Sequence, residues 1–241
     1  MFKNVFRRID SVFHVSGSDL NPEEKIFPNV VGYPEIKKIL LRSVVAKDPV
    51  HILLTGPPSS SKTVFLLEML KGLDNAYFLD AVGTSGPGVV DHLFNNSTKY
   101  LLIDEIDKMK KSDQSALLNV METGILSETK LKGKTRLKKM KLWIFATSND
   151  AERLSPALRS RFMELKLDEY TYQEFMEIVR RLISRKCHLD LTISEKIGRA
   201  VWHMMKSKDI RDAMQIAKLT KVPDDVDWLV NVQLKYGKKS Y

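Results

Sequence analysis

The hydrophobic pattern alternates between short apolar runs and stretches of helical spacing. The apolar runs lie at His51–Leu54, Ala76–Ala81, Lys99–Glu105, Leu142–Asn149 and Glu164–Leu167, and each predicts a strand. Helices are expected from Pro34 to Val45, from Val64 to Leu70 and from a Ser112 cap to about Glu122. Ser155–Phe162 reads as a shorter helix and Gly83–Gly88 as a flexible loop. Strands alternating with helices predict an α/β fold, a parallel five-stranded sheet sandwiched by helices. From Asp168 onward the pattern is wholly helical. Thr171–Glu174 is a capping box opening a helix to about Lys186, Ser194 opens the next and Asp209 caps a third. Pro223 ends that one, and Asp224–Lys235 forms a fourth. The expected plan is an α/β domain over 26–167, a small helical domain over 168–236 and a tail over 237–241. Before them, Phe2, Val5, Phe6, Ile9, Val12 and Phe13 predict an amphipathic helix packed on its own domain or a neighbouring subunit. A linker from Val15 to Lys25 follows it.

Chemistry gathers at the ends of the predicted strands. After His51–Leu54 comes Thr55-Gly56-Pro57-Pro58-Ser59-Ser60-Ser61-Lys62-Thr63, followed by the helix that begins near Val64. Strand, small-residue loop, Lys-Thr and helix is the order a phosphate-binding loop requires. Small residues let consecutive N–H groups and the helix N-terminus face an anion. Lys62 would reach the β- and γ-phosphates of a nucleotide, and the Thr63 hydroxyl would ligate Mg²⁺. Ser61 stands where such loops usually carry glycine. The run Lys99–Ile103 delivers Asp104 and Glu105 to the same sheet edge, Asp104 for the Mg²⁺ shell and Glu105 to polarise attacking water. Asn149, at the end of Leu142–Ser148, is placed to hydrogen-bond a γ-phosphate or that water.

Charge changes the picture at one place. The chain carries a formal net charge of +9, which suggests an acidic partner. It concentrates in Glu128–Lys141, where Lys130, Lys132, Lys134, Arg136 and Lys138 alternate with Thr, Leu or Gly. That is strand periodicity, with Gly133-Lys134 at the tip of a hairpin, and such a ribbon can track a phosphate backbone without reading sequence. A solvated hairpin with charged edges is the plainer alternative. Cys187 is the only cysteine, which excludes an internal disulfide and fits a reducing cytoplasm. No apolar run reaches transmembrane length, so no membrane partner is expected.

These residues together resemble the AAA+ ATPases, from about residue 26 to 236. Gly56–Thr63, with Val64 after it, looks like Walker A, Leu101–Glu105 like Walker B and Ala146–Asn149 like sensor 1. Asp209–Ala213 resembles sensor 2, with Arg211 as the sensor, and Val31-Gly32-Tyr33 occupies the place of the adenine-side box. Ser155–Phe162 resembles the segment whose arginine acts on a neighbouring subunit's nucleotide, through Arg159 or Arg161. The basic insertion between Glu122 and Leu142 resembles the hairpin shared by RuvB helicases, MCM helicases, MoxR-type chaperones and magnesium chelatase. The resemblance implies ATP and ADP as ligands, Mg²⁺ as cofactor and a self-associated ring, with a hexamer the expected form. Within the group the chain looks like an archaeal-type RuvB-like or MCM-like ATPase acting on nucleic acid, DNA before RNA. RuvB-like proteins add a winged-helix domain and MCM proteins an N-terminal DNA-binding domain, and this sequence leaves room for neither. Either the hairpin grips substrate alone or a further protein partner shares that task. A MoxR-like chaperone remodelling proteins or aiding metal insertion, and a nucleotide-dependent assembly switch, are the other readings.

Overall fold

The computed structural model describes residues 26–83, 86–129 and 135–237. The stretches expected at 2–13 and 15–25, and Lys130, Lys132 and Lys134, lie outside the described residues. The chain divides into two compact units, one of residues up to Gly56 with Ser61–Leu167, the other of Pro57–Ser60 with Asp168 onward.

The first unit is built on a five-stranded parallel sheet. Its strands are β1 (Ile52–Thr55), β2 (Ala76–Asp80), β3 (Tyr100–Asp104), β6 (Trp143–Ser148) and β7 (Met163–Lys166), in the spatial order β2-β3-β6-β1-β7. Helices α1 (Pro34–Val44), α2 (Lys62–Gly72), α3 (Gly86–Asn95), α4 (Lys111–Thr123) and the short α5 (Pro156–Arg159) accompany it. A two-stranded antiparallel ribbon, β4 (Ile125–Thr129) and β5 (Thr135–Lys139), stands apart from the sheet.

Alternation along the strands sorts the core into two layers, because successive side chains point to opposite faces. Leu53, Leu101, Ile103, Ile144 and Ala146 pack with α3 and α4 through Leu93, Leu117 and Val120. Ile52, Leu54, Tyr100, Leu102, Trp143 and Phe145 pack with α1 and α2 through Leu40, Leu41, Phe65 and Leu66. Aromatic tips from the second layer also close α1, whose last carbonyls lack helical partners. Trp143 Nε1 donates to Ser43 O (3.0 Å) and the Tyr100 hydroxyl to Val44 O (3.2 Å).

The second unit holds α6 (Tyr172–Cys187), α7 (Leu191–Arg199), a π-helical turn (Ala200–Met204), α8 (Ile210–Leu219) and α9 (Asp225–Tyr236). The capping box opens α6 as its sequence dictates: Glu174 N–H donates to Thr171 Oγ1 (3.3 Å) and Thr171 N–H to Glu174 Oε2 (2.9 Å).

Three boundaries differ from the sequence pattern. The loop expected over Gly83–Gly88 gives way at Gly86 to α3, with Pro87 in the first turn, where a missing N–H costs no helical bond. Lys110 rather than Ser112 precedes α4, and Ser112 turns to Asp113 inside the first turn. Asp190 caps α7, accepting from Ile193 N–H (2.8 Å), while Ser194 sits within the helix and donates to Asp190 O. A carboxylate takes the orphan N–H groups more strongly than a hydroxyl does.

His51 precedes β1, is 9% exposed and packs edge-on against Phe162. Its Nδ1 accepts from Ile144 N–H (3.3 Å), and burial lowers its pKa from 6.5 to about 4. The unfolded chain therefore takes up this proton first on acidification, and stability is lost as pH falls from about 6.5 towards 4. Denaturant unfolding should show the wild type losing about 2 kcal/mol more than His51→Gln between pH 6.5 and pH 5.

Candidate nucleotide-binding and hydrolysis site

The strand order decides what meets at the carboxyl edge of the sheet. β6 lies between β1, which leads into the phosphate loop, and β3, which ends in the acids. Residues at the end of β6 therefore stand between the two motifs, at a position where open α/β sheets bind ligands.

The loop itself is bent by left-handed residues. Gly56 has φ 147°, and Ser59 and Ser61 have φ 67° and 62°. Ser61 is the N-cap of α2, so the serine adopts a conformation glycine would accept without strain, at a cost of about 1 kcal/mol. Ser60 Oγ donates to Pro57 O (2.8 Å), and Pro58 is exposed. Lys62 is 7% exposed and its Nζ donates to Gly56 O (2.8 Å), spanning the loop. Burial lowers the Lys62 pKa from 10.5 to about 8, against the pull of Asp104, Asp107 and Glu105. Val64 is half-buried on α2.

The acids and hydroxyls form one network. Thr63 Oγ1 lies 3.0 Å from both carboxylate oxygens of Asp104. Thr147 Oγ1 donates to Asp104 Oδ1 (2.5 Å) and accepts from Glu105 N–H (3.0 Å). Asn149 Nδ2 donates to Glu105 Oε1 (3.2 Å), and Asn149 N–H to Asp107 Oδ1 (3.3 Å). Asp107 has a fully buried side chain, its Oδ2 has no hydrogen-bond partner and Lys108 Nζ lies 3.7 Å away. The structure thus brings Lys62, Thr63, Asp104, Glu105 and Asn149 to one edge. Thr147 and Asp107 belong to the same network, although the sequence analysis assigns a role to neither: Thr147 lies unremarked within Ala146–Asn149, and Asp107 follows the Asp-Glu pair.

Magnesium fits this donor set. Among the described residues no group of three or more His, Cys, Asp or Glu could hold a metal ion. One carboxylate and one hydroxyl suit an ion that keeps several waters and arrives with phosphates.

The other expected site residues have their own partners. Gly32 and Tyr33 are left-handed (φ 74° and 55°), and Tyr33 packs edge-on to Phe65 of α2. Beside them Val31 is buried, and Lys37 Nζ donates to Val30 O (2.7 Å). Arg159 Nε donates to Glu164 (2.8 Å) and Arg161 pairs with Glu122, so both guanidiniums are engaged outside the acid cluster. In the second unit Arg211 Nη2 donates to Ser59 Oγ (3.1 Å), and its bonds to Asp209 hold its pKa above the usual arginine value.

The basic ribbon departs from expectation at both of its described expected cations. The inner face of β5 carries Arg136 and Lys138, while Thr135, Leu137 and Lys139 face solvent. Arg136 bonds Asp91 (2.6 Å) and Glu128 (2.9 Å) and lies over the Phe94 ring. Lys138 Nζ donates to Leu93 O (2.6 Å), Phe94 O (3.2 Å) and Asn96 O (2.7 Å), satisfying carbonyls at the C-terminal end of α3. Within β5 the face that carries Arg136 and Lys138 turns inward.

Sheet order, loop and acids define a P-loop nucleotide-binding protein of AAA+ fold. Residues 52–168 match the family described as ATPase family associated with various cellular activities (AAA). It is 26% identical to a Lon protease of Flavobacterium johnsoniae over 92% of this chain and 32% of that one. It is also 26% identical to the Holliday junction branch migration complex subunit RuvB of Pseudothermotoga lettingae, over 80% and 62%. With the DNA replication licensing factor MCM7 of Oryza sativa subsp. indica it shares 25% identity over 65% and 27%. The chain thus spans from about a quarter to under two thirds of the length of these relatives. The Thermotoga maritima RuvB Holliday junction branch migration motor has the same fold, with a TM-score of 0.62 at 20% identity over 84% of this chain and 70% of that one. A mutant of that RuvB reaches 0.68 at 20% identity over 89% and 75%.

If Lys62 holds a phosphate, its lowered pKa of about 8 gives nucleotide affinity a pH dependence. An anion binds the charged form, so affinity should weaken once pH exceeds about 8, by up to tenfold per unit. Titrating a fluorescent ADP analogue between pH 7 and pH 9.5 should show this decline, and Lys62→Arg should flatten it because guanidinium stays charged.

Proposed function

We propose that the protein is an ATP-hydrolysing AAA+ motor that acts on nucleic acid, with DNA as the first substrate class. The observation that carries the hydrolytic part is one hydrogen-bonded network in which Thr63 meets Asp104, Asn149 meets Glu105, and Thr147 joins the two pairs. In this reading the N–H groups of residues 56–63 and Lys62 hold the phosphates, and Arg211 adds a cation. Val31, Gly32 and Tyr33 border the base. Thr63 and Asp104 hold Mg²⁺, which supplies charge neutralisation on the phosphates. Glu105 orients and deprotonates water, and Asn149 holds the Glu105 carboxylate and the γ-phosphate side. Arg159 or Arg161 serves a neighbouring subunit of a ring, so that one chain alone is incomplete. Movement of the helical domain and the hairpin on hydrolysis then shifts the bound polymer.

Support for nucleic acid comes from the +9 charge and from relatives named for Holliday junction branch migration and DNA replication licensing. With Arg136 and Lys138 engaged by α3, the proposed contact with nucleic acid rests on Lys130, Lys132 and Lys134, and Lys139 of β5 also faces solvent. A protein substrate, as for a chaperone, is the second reading, favoured by similarity to a Lon protease across most of the chain.

Steady-state ATP hydrolysis with single-stranded, duplex and branched DNA at two salt concentrations tests the proposal. Glu105→Gln should reduce turnover by about 100-fold or more while nucleotide still binds. DNA should stimulate the wild type in a salt-sensitive way, and Lys132→Ala with Lys134→Ala should remove that stimulation. Hydrolysis indifferent to DNA but raised by an unfolded protein would replace the motor with the chaperone.

A further inference from the structure

Glu105 is a non-glycine residue in the left-handed region, with φ 52° and ψ 47°. Such a backbone persists only where its surroundings hold it. Its N–H is held by the Thr147 hydroxyl of β6, and that same hydroxyl spends its proton on Asp104. Thr147 is 1% exposed, so its hydroxyl is shielded from water. One side chain thereby grips both acids, one through the carboxylate and the other through the peptide. Asp104 is then shared between two hydroxyls, Thr63 from the phosphate-loop helix and Thr147 from the neighbouring strand.

We propose that Thr147 is the positioning residue of the site, orienting Asp104 towards magnesium and holding Glu105 in its strained backbone. The inference rests on the hydrolytic reading given above, and Thr147 acts through its bonds to Asp104 and Glu105. Supporting groups of this kind typically set metal affinity or activity by about 10- to 100-fold.

The test uses the full chain with Thr147→Val, which keeps the shape and removes the hydroxyl, and Thr147→Ser, which keeps the hydroxyl. Binding of a fluorescent ADP analogue is measured in EDTA and in MgCl₂, and ATP turnover is measured beside it. Thr147→Val should bind as the wild type does in EDTA, lose most of the magnesium-dependent gain in affinity, and lose about 10- to 100-fold in kcat rather than in KM. Thr147→Ser should recover both. An unaltered magnesium gain in Thr147→Val overturns the proposal, as does an equal loss in Thr147→Val and Thr147→Ser, which would mark a packing role. Thr147→Ala serves if the valine variant does not fold. If the wild type binds magnesium and nucleotide yet never hydrolyses ATP, the hydrolytic reading fails while the magnesium measurement still decides the role of Thr147.

Discussion

The bond between the hydroxyl of Thr147 and the carboxylate of Asp104 ties the site together, because it links two strands that the chain visits far apart. β3 delivers the acids, β6 runs beside it, and β1 on the other side of β6 carries the phosphate loop. Thr63 closes the circuit from α2 with its own contact to Asp104. Hydrogen bonds to a charged group contribute about 1.5–3 kcal/mol each, enough to hold half-buried side chains in one arrangement. The parallel sheet makes this possible, since every strand here ends at the same edge.

Several strained and buried groups lie at that edge. Ser59, Ser61 and Glu105 are left-handed, Lys62 and Asp107 are buried charges, and Asp107 leaves an oxygen without a hydrogen bond. A fold selected for stability alone has little use for these features. Two apolar layers, anchored by Trp143 and Tyr100 on the end of α1, supply the stability that offsets them.

Much of this was legible in the sequence, for physical reasons. Continuous apolar runs mark buried parallel strands, so the five-stranded sheet followed from periodicity, and the Lys-Thr and Asp-Glu pairs announce themselves by their position after strands. What escaped were features that depend on a partner distant in sequence. Thr147 looks like any β-branched strand residue until β3 is laid beside it. The Gly86–Asn95 helix hides behind Gly-Pro-Gly, because local breakers outweigh the apolar face that Val89 and Leu93 bury. Arg136 and Lys138 look like outward cations because nothing local shows that Asp91 and the carbonyls of α3 wait on the inner side.

The most direct measurement is an experimentally determined structure of the protein with Mg²⁺ and a non-hydrolysable ATP analogue. The account expects the phosphates in the curve of residues 56–63, the metal on Thr63 and Asp104, and the Thr147–Asp104 bond retained. A nucleotide bound elsewhere, or a metal that leaves Asp104 untouched, would contradict it.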